Sequence, residues 1–221
     1  MSVYLDYAAT TPIRKEVIEY MNKYIHEVFG NPSSLHSFGK QAKRAIEDAR
    51  DLVADLINAN TNEIIFTSSG TEGNNQALFG MINSNSSKNH IITSKIEHPS
   101  VIQSCKELEK RGCRITYLNV DKDGLVDLQE LEKAICENTI LVTIMHANNE
   151  IGTIQPIEMI SKVIRKKEKD LKRKIYFHTD AVQTAGILQV DVEHLDVDLL
   201  TISSHKIYGP KGAGALFVKK G

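Results

Sequence analysis

The 221-residue sequence has almost no net charge: 27 Lys and Arg stand against 28 Asp and Glu, a formal balance of -1. That balance excludes a global field drawing the chain to nucleic acid or anionic lipid, and it points to a small partner. Cysteine is scarce, with Cys105, Cys113 and Cys136 alone. An odd count with neither CxxC nor Cys/His spacing excludes a zinc ribbon and reads as reduced thiols in a cytoplasmic protein, packed as small buried hydrophobes. No apolar run of about 18 residues occurs, so no transmembrane helix is expected. The start, Met1 to Tyr7, has an acid at Asp6 and neither a basic stretch nor an apolar core, so it does not read as a signal peptide. Repeats, low-complexity tracts and linkers are also missing. What remains, 41% hydrophobic and 25% charged residues, is the composition of a soluble globular protein long enough to bury a core around a rigid site.

Two helical stretches come first. Ile13 to Val28, preceded by Pro12, sets Ile13, Val17, Tyr20, Tyr24 and Val28 at helical spacing as a narrow buried stripe. Lys40 to Ile57 sets Ala42, Ala45, Ile46, Ala49, Leu52, Val53 and Leu56 on one side, with Lys43, Arg44, Glu47, Asp48 and Arg50 left for solvent. A loop is expected between them, from Gly30 to Ser37. Short apolar runs then alternate with polar helices: Glu63 to Thr67, His90 to Thr93, Arg114 to Leu118, Ile140 to Met145, Ile175 to Phe177, Asp198 to Ile202 and Ala213 to Val218. Several are apolar on both faces, and most gaps hold a helix. The pattern predicts a three-layer α/β fold, a mostly parallel seven-stranded sheet with helices on both faces. The last gap, Ser203 to Gly212, is too short for a crossover helix, so the final strand is expected to run antiparallel. The basic stretch Arg165 to Lys174, without interleaved aromatics, reads as a solvated helix C-terminus, and the polar stretch Asn83 to Asn89 as an exposed loop.

In an open α/β sheet, ligands bind beyond the carboxyl ends of the strands, where loops and helix N-termini converge. Polar residues collect there. After the first strand, Ser68 to Gly73 forms a small-residue turn opening a helix, whose free N–H groups suit an anion. It carries neither GxGxxG nor GxxxxGK[ST], so a single phosphate fits better than a nucleotide. After the second come Glu97 and His98; after the fourth, His146 to Gly152; after the fifth, His178 to Gln183; after the sixth, Ser203, Ser204, His205 and Lys206. A phosphate turn, a stackable imidazole, a carboxylate and a lysine together suggest pyridoxal 5'-phosphate. The lysine can bond the aldehyde, and the carboxylate can keep the ring nitrogen protonated, so that the ring withdraws electrons from a substrate's α-carbon. His178 with Asp180, or His205 with a carboxylate, lacks the HExxH spacing, and no metal is expected.

Six segments, in order, carry a resemblance to a known family: YLDYAATTP (Tyr4 to Pro12), GNPSS (Gly30 to Ser34), FTSSGTE (Phe66 to Glu72), Glu97 with His98, HANNEIG (His146 to Gly152) and SSHKIYGPKG (Ser203 to Gly212). With these the chain resembles the NifS/IscS cysteine desulfurases, within the class V aminotransferase group of fold-type I pyridoxal-phosphate enzymes. The resemblance implies that Lys206 bonds the cofactor and moves protons at the α-carbon, and that Asp180 pairs with the pyridinium nitrogen, whose charge would hold the Asp180 pKa down. It further implies that Gln183 bonds the phenolic oxygen, that His98 stacks on the ring and helps proton transfer, and that Asn149 sits near the ring oxygen and the substrate carboxylate. Gly70, Thr71, Ser203 and His205 would cup the phosphate.

The implied reaction is L-cysteine to L-alanine, with sulfur passed to an iron-sulfur scaffold or a tRNA thiolation factor by a cytoplasmic homodimer. In the family a cysteine on a mobile C-terminal loop takes the sulfur. No segment here matches that loop, and Cys105, Cys113 and Cys136 are not given its role. Residues 1–221 are therefore expected to be the large domain, with 1–12 as an N-terminal segment and the small C-terminal domain absent, and not to form the persulfide alone. A selenocysteine lyase, another class V enzyme acting on a β substituent, or an inactive subunit completed by a second chain would carry the same cofactor residues.

Overall fold

The computed structural model describes residues 2–84 and 89–220. Seven strands form one sheet: β1 (Ile64–Thr67), β2 (His90–Ser94), β3 (Arg114–Leu118), β4 (Thr139–Thr143), β5 (Tyr176–Asp180), β6 (Leu199–Ser203) and β7 (Gly214–Val218). Their spatial order is β1-β7-β6-β5-β4-β2-β3. β7 runs antiparallel to both neighbours and every other pair is parallel, as the short connection before it predicts. The helices are α1 (Lys15–His26), α2 (Ser37–Leu56), α3 (Gly70–Asn83), α4 (Pro99–Lys110), α5 (Leu128–Ala134), α6 (Ile157–Leu171) and α7 (Val192–Leu195). Of the polar loop expected over 83–89, residues 85–88 lie outside the described residues.

The strands are apolar on both sides because both faces are covered. Successive side chains point to opposite faces, so Ile92, Val142, Leu200 and Phe217 join α5, α6 and α7 in one core, while Ile91, Leu141, Leu199 and Leu216 join α3 and α4 in another. Three strands, β2, β5 and β6, extend past their expected carboxyl ends, β5 the furthest. β5 continues through His178, Thr179 and Asp180, because the wholly buried His178 bonds Thr143 Oγ1 at 2.8 Å and Thr201 Oγ1 at 3.0 Å across the neighbouring strands.

The helical stripes at the start do not behave as their spacing predicts. No residue of α1 is buried, and Ile18, Tyr20 and Ile25 are exposed. In α2 only Gly39, Ala42 and Ala54 are buried, while Ile46, Leu52 and Leu56 are exposed. Periodicity identifies an apolar face but not what covers it, and among the described residues α2 is covered only in part, Ala54 and Val53 reaching the core. The basic stretch is also misread as simply solvated. Arg165 is largely buried, held by Asp196 at 2.9 Å, Asp198 at 3.0 Å and Glu168 at 3.1 Å. Among the cysteines, Cys105 is buried, whereas Cys113 and Cys136 are only partly so.

The N-terminal segment is anchored by the turn after β6. Thr11 N–H and Oγ1 both donate to the His205 carbonyl, at 3.0 and 2.9 Å, and Thr11 Oγ1 accepts from Tyr208 N–H at 2.9 Å. Tyr208 takes a left-handed φ of 65°, unusual for a bulky residue, and Arg14 stacks over its ring at 4.4 Å.

Candidate cofactor site

A cavity of about 250 Å³ opens at the carboxyl ends of the parallel strands. That is just below the usual range of about 300–1,000 Å³ for small-molecule sites and suits one compact ligand better than a dinucleotide. Its wall contains Gly70, Thr71, His98, Asn149, Asp180, Gln183, Ser203, His205 and Lys206, so every residue to which the resemblance gives a cofactor role lines one space. Ala9, Ser69, Asn74, Ser100, Met145 and Val182 complete it.

The anion-binding side is the start of α3. Ser69 caps the helix by accepting from Glu72 N–H at 3.2 Å. The N–H groups of Gly70 and Thr71, in the first turn, have no intrahelical acceptor and carry the positive end of the helix dipole. Gly70 is required by packing, since a Cβ there would lie 2.7 Å from Val182 Cγ2. Opposite stands Ser203, whose hydroxyl is buried without a hydrogen-bond partner among the described residues. Leaving such a group unpaired costs about 1–3 kcal/mol, a cost that an oxygen-rich ligand would remove. His205 binds Thr10 Oγ1 through Nδ1 at 3.1 Å. Burial, then the charges of Lys206 and Lys211, lower its pKa and favour the neutral ring.

The other side holds the titrating pair. Asp180 ends β5, 5% exposed, with Oδ1 accepting from Val182 N–H at 3.0 Å and Oδ2 from Asn74 Nδ2 at 2.7 Å. Burial raises its pKa, and these donors with the charges of His98 and Lys206 recover only part of that. In the chain itself desolvation is the larger effect; the depression expected from a cationic ring partner refers to the site with that ring bound. Lys206 sits on a short 3-10 turn after β6, its Nζ donating to the carbonyls of Ala8 and of Ala9, the latter at 2.9 Å. Burial lowers its pKa, with Asp180 and Asp6 opposing. Gln183 Nε2 donates to the Ala8 carbonyl at 3.0 Å, so the N-terminal segment is part of the same wall.

These residues fit pyridoxal phosphate: free N–H groups and an orphan hydroxyl for a phosphate, a half-buried amine for an aldehyde, and a buried carboxyl at the far side for a ring nitrogen. His146 and His178, also at strand ends, do not belong to the cavity. His146 bonds Thr184 Oγ1 at 3.0 Å, and burial drives the His178 pKa down to about 3. Asn148 is structural as well, donating to the Ile96 carbonyl and accepting from Glu150 and Ile151 N–H. None of the three cysteines lines the cavity.

A family model described as aminotransferase class-V matches residues 3–221. The chain belongs to the class-V aminotransferase family. Among curated class-V relatives, the chain is 58% identical to "Cysteine desulfurase IscS" of Dictyoglomus turgidum (strain DSM 6724 / Z-1310), over 99% of this chain and 54% of that protein. It thus spans about half the length of that relative. Among solved structures, one described as a NifS-like protein superposes with a TM-score of 0.96 at 42% identity, covering 100% of this chain and 60% of the other. A second, described as SspA in complex with cysteine, gives 0.92 at 44% identity, covering 98% and 61%. The seven-stranded, mostly parallel sheet is the one these class-V relatives share.

Sequence reasoning did not single out Asn74 or Ser100, and it left Glu97 as a motif residue without a role. Glu97 is buried: its Oε1 accepts from Ser94 Oγ at 2.6 Å and both oxygens accept from Met145 N–H at 3.0 Å, tying the ends of β2 and β4 together beside His98. Burial pushes its pKa up to about 8. A carboxylate just past the end of a wholly buried strand was the available signal.

Proposed function

We propose that residues 1–221 are the pyridoxal 5'-phosphate-binding large domain of a cysteine desulfurase, with 1–12 as an N-terminal segment. The whole protein would include a small C-terminal domain and convert L-cysteine to L-alanine, passing sulfur to an iron-sulfur scaffold or a tRNA thiolation factor. The observation that carries this reading is that the Lys206 amine and the Asp180 carboxyl face one compact cavity whose rim holds unpaired phosphate-type donors. The relatives' names, and the neighbour solved with cysteine, supply the substrate. Homodimerisation follows from the family resemblance, and the cytoplasm from three unpaired cysteines. Among the described residues no helix is long and apolar enough to cross a membrane.

Bound in the cavity, the cofactor would supply an aldehyde for an amine and a ring that draws electrons from the substrate's α-carbon. Lys206 offers the amine for that aldehyde, and its lowered pKa increases the neutral fraction able to take a proton from the α-carbon. Asp180 holds a proton at the ring nitrogen by presenting an oxygen already oriented by Asn74. Gly70, Thr71, Ser203 and His205 hold the phosphate, Gln183 and Asn149 address the ring oxygen, and Asn149 also the substrate carboxylate. His98 covers one face and serves proton transfer.

The test is the visible spectrum of the chain with added pyridoxal phosphate, before and after L-cysteine, beside Lys206→Ala. A yellow band that requires Lys206 and shifts with cysteine is expected. Equal colour in the variant, or a band indifferent to cysteine, would defeat the proposal.

A further inference from the structure

We infer that Asn74 and Ser100 are positioning residues that set the hydrogen-bond polarity of the cavity, holding His98 with its ring hydrogen on Nε2 and Asp180 with both oxygens as acceptors. The inference deepens the cofactor reading and rests on it for its chemical meaning, while the arrangement itself lies wholly in this chain.

Asn74 is 1% exposed, and its Nδ2 makes two bonds, to Asp180 Oδ2 at 2.7 Å and to Ser100 Oγ at 2.9 Å. An amide nitrogen has two hydrogens and no lone pair to accept with, so both partners must accept. Ser100 then has one hydroxyl hydrogen left to give, and His98 Nδ1 lies 2.8 Å away. The backbone N–H of Ser100 reaches the same nitrogen at 3.1 Å, where His98 caps α4. A backbone N–H can only donate. Nδ1 therefore receives two hydrogens, and one of its own would face both. The ring hydrogen belongs on Nε2, for which the structure gives no protein partner among the described residues. At the far end, the second Asp180 oxygen is taken by Val182 N–H at 3.0 Å.

The bridge is an orienting device and no proton wire, because an amide cannot pass a hydrogen along. Asn74 Oδ1 is buried with no partner, as expected of a side chain kept for its donors. The consequence concerns specificity. His98 lines the cavity, and a ligand group that meets its Nε2–H must carry a lone pair, such as a thiolate sulfur or a carboxylate oxygen, whereas an ammonium does not fit there.

The experiment is ¹⁵N NMR of the histidine-labelled chain without cofactor, for wild type, Ser100→Ala, Ser100→Thr and Asn74→Ala. Wild type is expected to show a bare Nδ1 and a protonated Nε2 at His98. Ser100→Ala, which loses one of two donors, should shift the tautomer ratio toward Nδ1–H by roughly fivefold, the weight of one ordinary hydrogen bond. Ser100→Thr should restore it, and Asn74→Ala should shift it in the same direction as Ser100→Ala. Far-UV circular dichroism checks the fold, and if Asn74→Ala does not fold the Ser100 pair decides. Hydrogen on Nδ1 in wild type, or a ratio unmoved by Ser100→Ala, would overturn the inference. Uptake of pyridoxal phosphate by wild type is scored separately: its absence with the expected tautomer would sink the cofactor reading and leave the bridge standing.

Discussion

At the amino ends of β5 and β6, Arg165 gives its guanidinium hydrogens to Asp196, Asp198 and Glu168 and to the carbonyls of Ile175 and Asp196. Lys174 adds a second cation on Asp198 at 2.7 Å. At the carboxyl ends of the same strands, among the described residues, the Asp180 carboxyl has only neutral N–H partners, the Lys206 amine only backbone carbonyls, and the Ser203 hydroxyl none. Both ends are polar and substantially buried. The difference is satisfaction: one end closes its charges on each other and stabilises the sheet, and the other keeps donors and a separated charge pair in reserve around a cavity. Buried polarity alone therefore does not mark a site. Buried polarity left open does.

The sharpest way to test this contrast is to remove charge at the open end. Asp180→Asn should keep the bound colour but slow the cysteine-driven spectral change about a thousandfold, the scale of losing a positioned electrostatic or proton-holding group. Stopped-flow absorption measures it, and a change of less than tenfold would place Asp180 outside the chemistry. At the closed end, Arg165→Ala should cost about 3 kcal/mol in urea unfolding, because it removes the guanidinium that joins Asp196, Asp198 and Glu168 and leaves Lys174 alone against the last two. The same variant should leave pyridoxal phosphate uptake unaltered.

His178 stays neutral in the fold down to about 3, against 6.5 for a free imidazole. The unfolded chain thus binds the extra proton, and stability falls as pH drops through that window by at most about 1.4 kcal/mol per unit for each such group. His90, lowered to about 4 by burial and then by Arg114, adds to the same limb. Glu97 acts with the opposite sign. Raised to about 8, it holds its proton in the fold where the unfolded carboxyl has lost it, so its contribution, full below 4.5, is lost as pH rises to about 8. Thermal melts should show the acid limb flatten in His178→Gln and the alkaline limb in Glu97→Gln. The smallest effect belongs to the surface pair Lys166–Glu132, 2.8 Å apart and exposed, where Lys166→Ala should cost less than about 1 kcal/mol.

Much of this architecture is legible in the chain because the relevant forces are local. Apolar runs on both strand faces require two covering layers, and a ten-residue connection cannot hold a crossover, so the strand set and the reversal of β7 follow. The cavity residues follow too, since loops at one sheet edge converge whatever the strand order. Less legible is whatever depends on partners far along the chain. Asn74 meets Asp180 across 106 positions and Lys206 meets Ala8 across 198, and no spacing rule reports either contact. The stripes of α1 and α2 mislead for a related reason: apolar periodicity at Tyr20 or Leu52 describes a surface suited to burial, while its burial depends on what lies over it. The desolvation that raises the Asp180 pKa in the chain itself is likewise invisible to a one-dimensional reading, because it depends on packing around the end of β5.

The central claim is that the open end of the sheet is built around Lys206 for an aldehyde-bearing phosphate cofactor. The most direct measurement is borohydride reduction of the chain with stoichiometric pyridoxal phosphate, followed by peptide mapping of the fixed label. The account predicts label on Lys206 alone, unaltered by Arg165→Ala. Label spread over the exposed lysines, such as Lys15, Lys110 and Lys166, with Lys206 unlabelled, would contradict it.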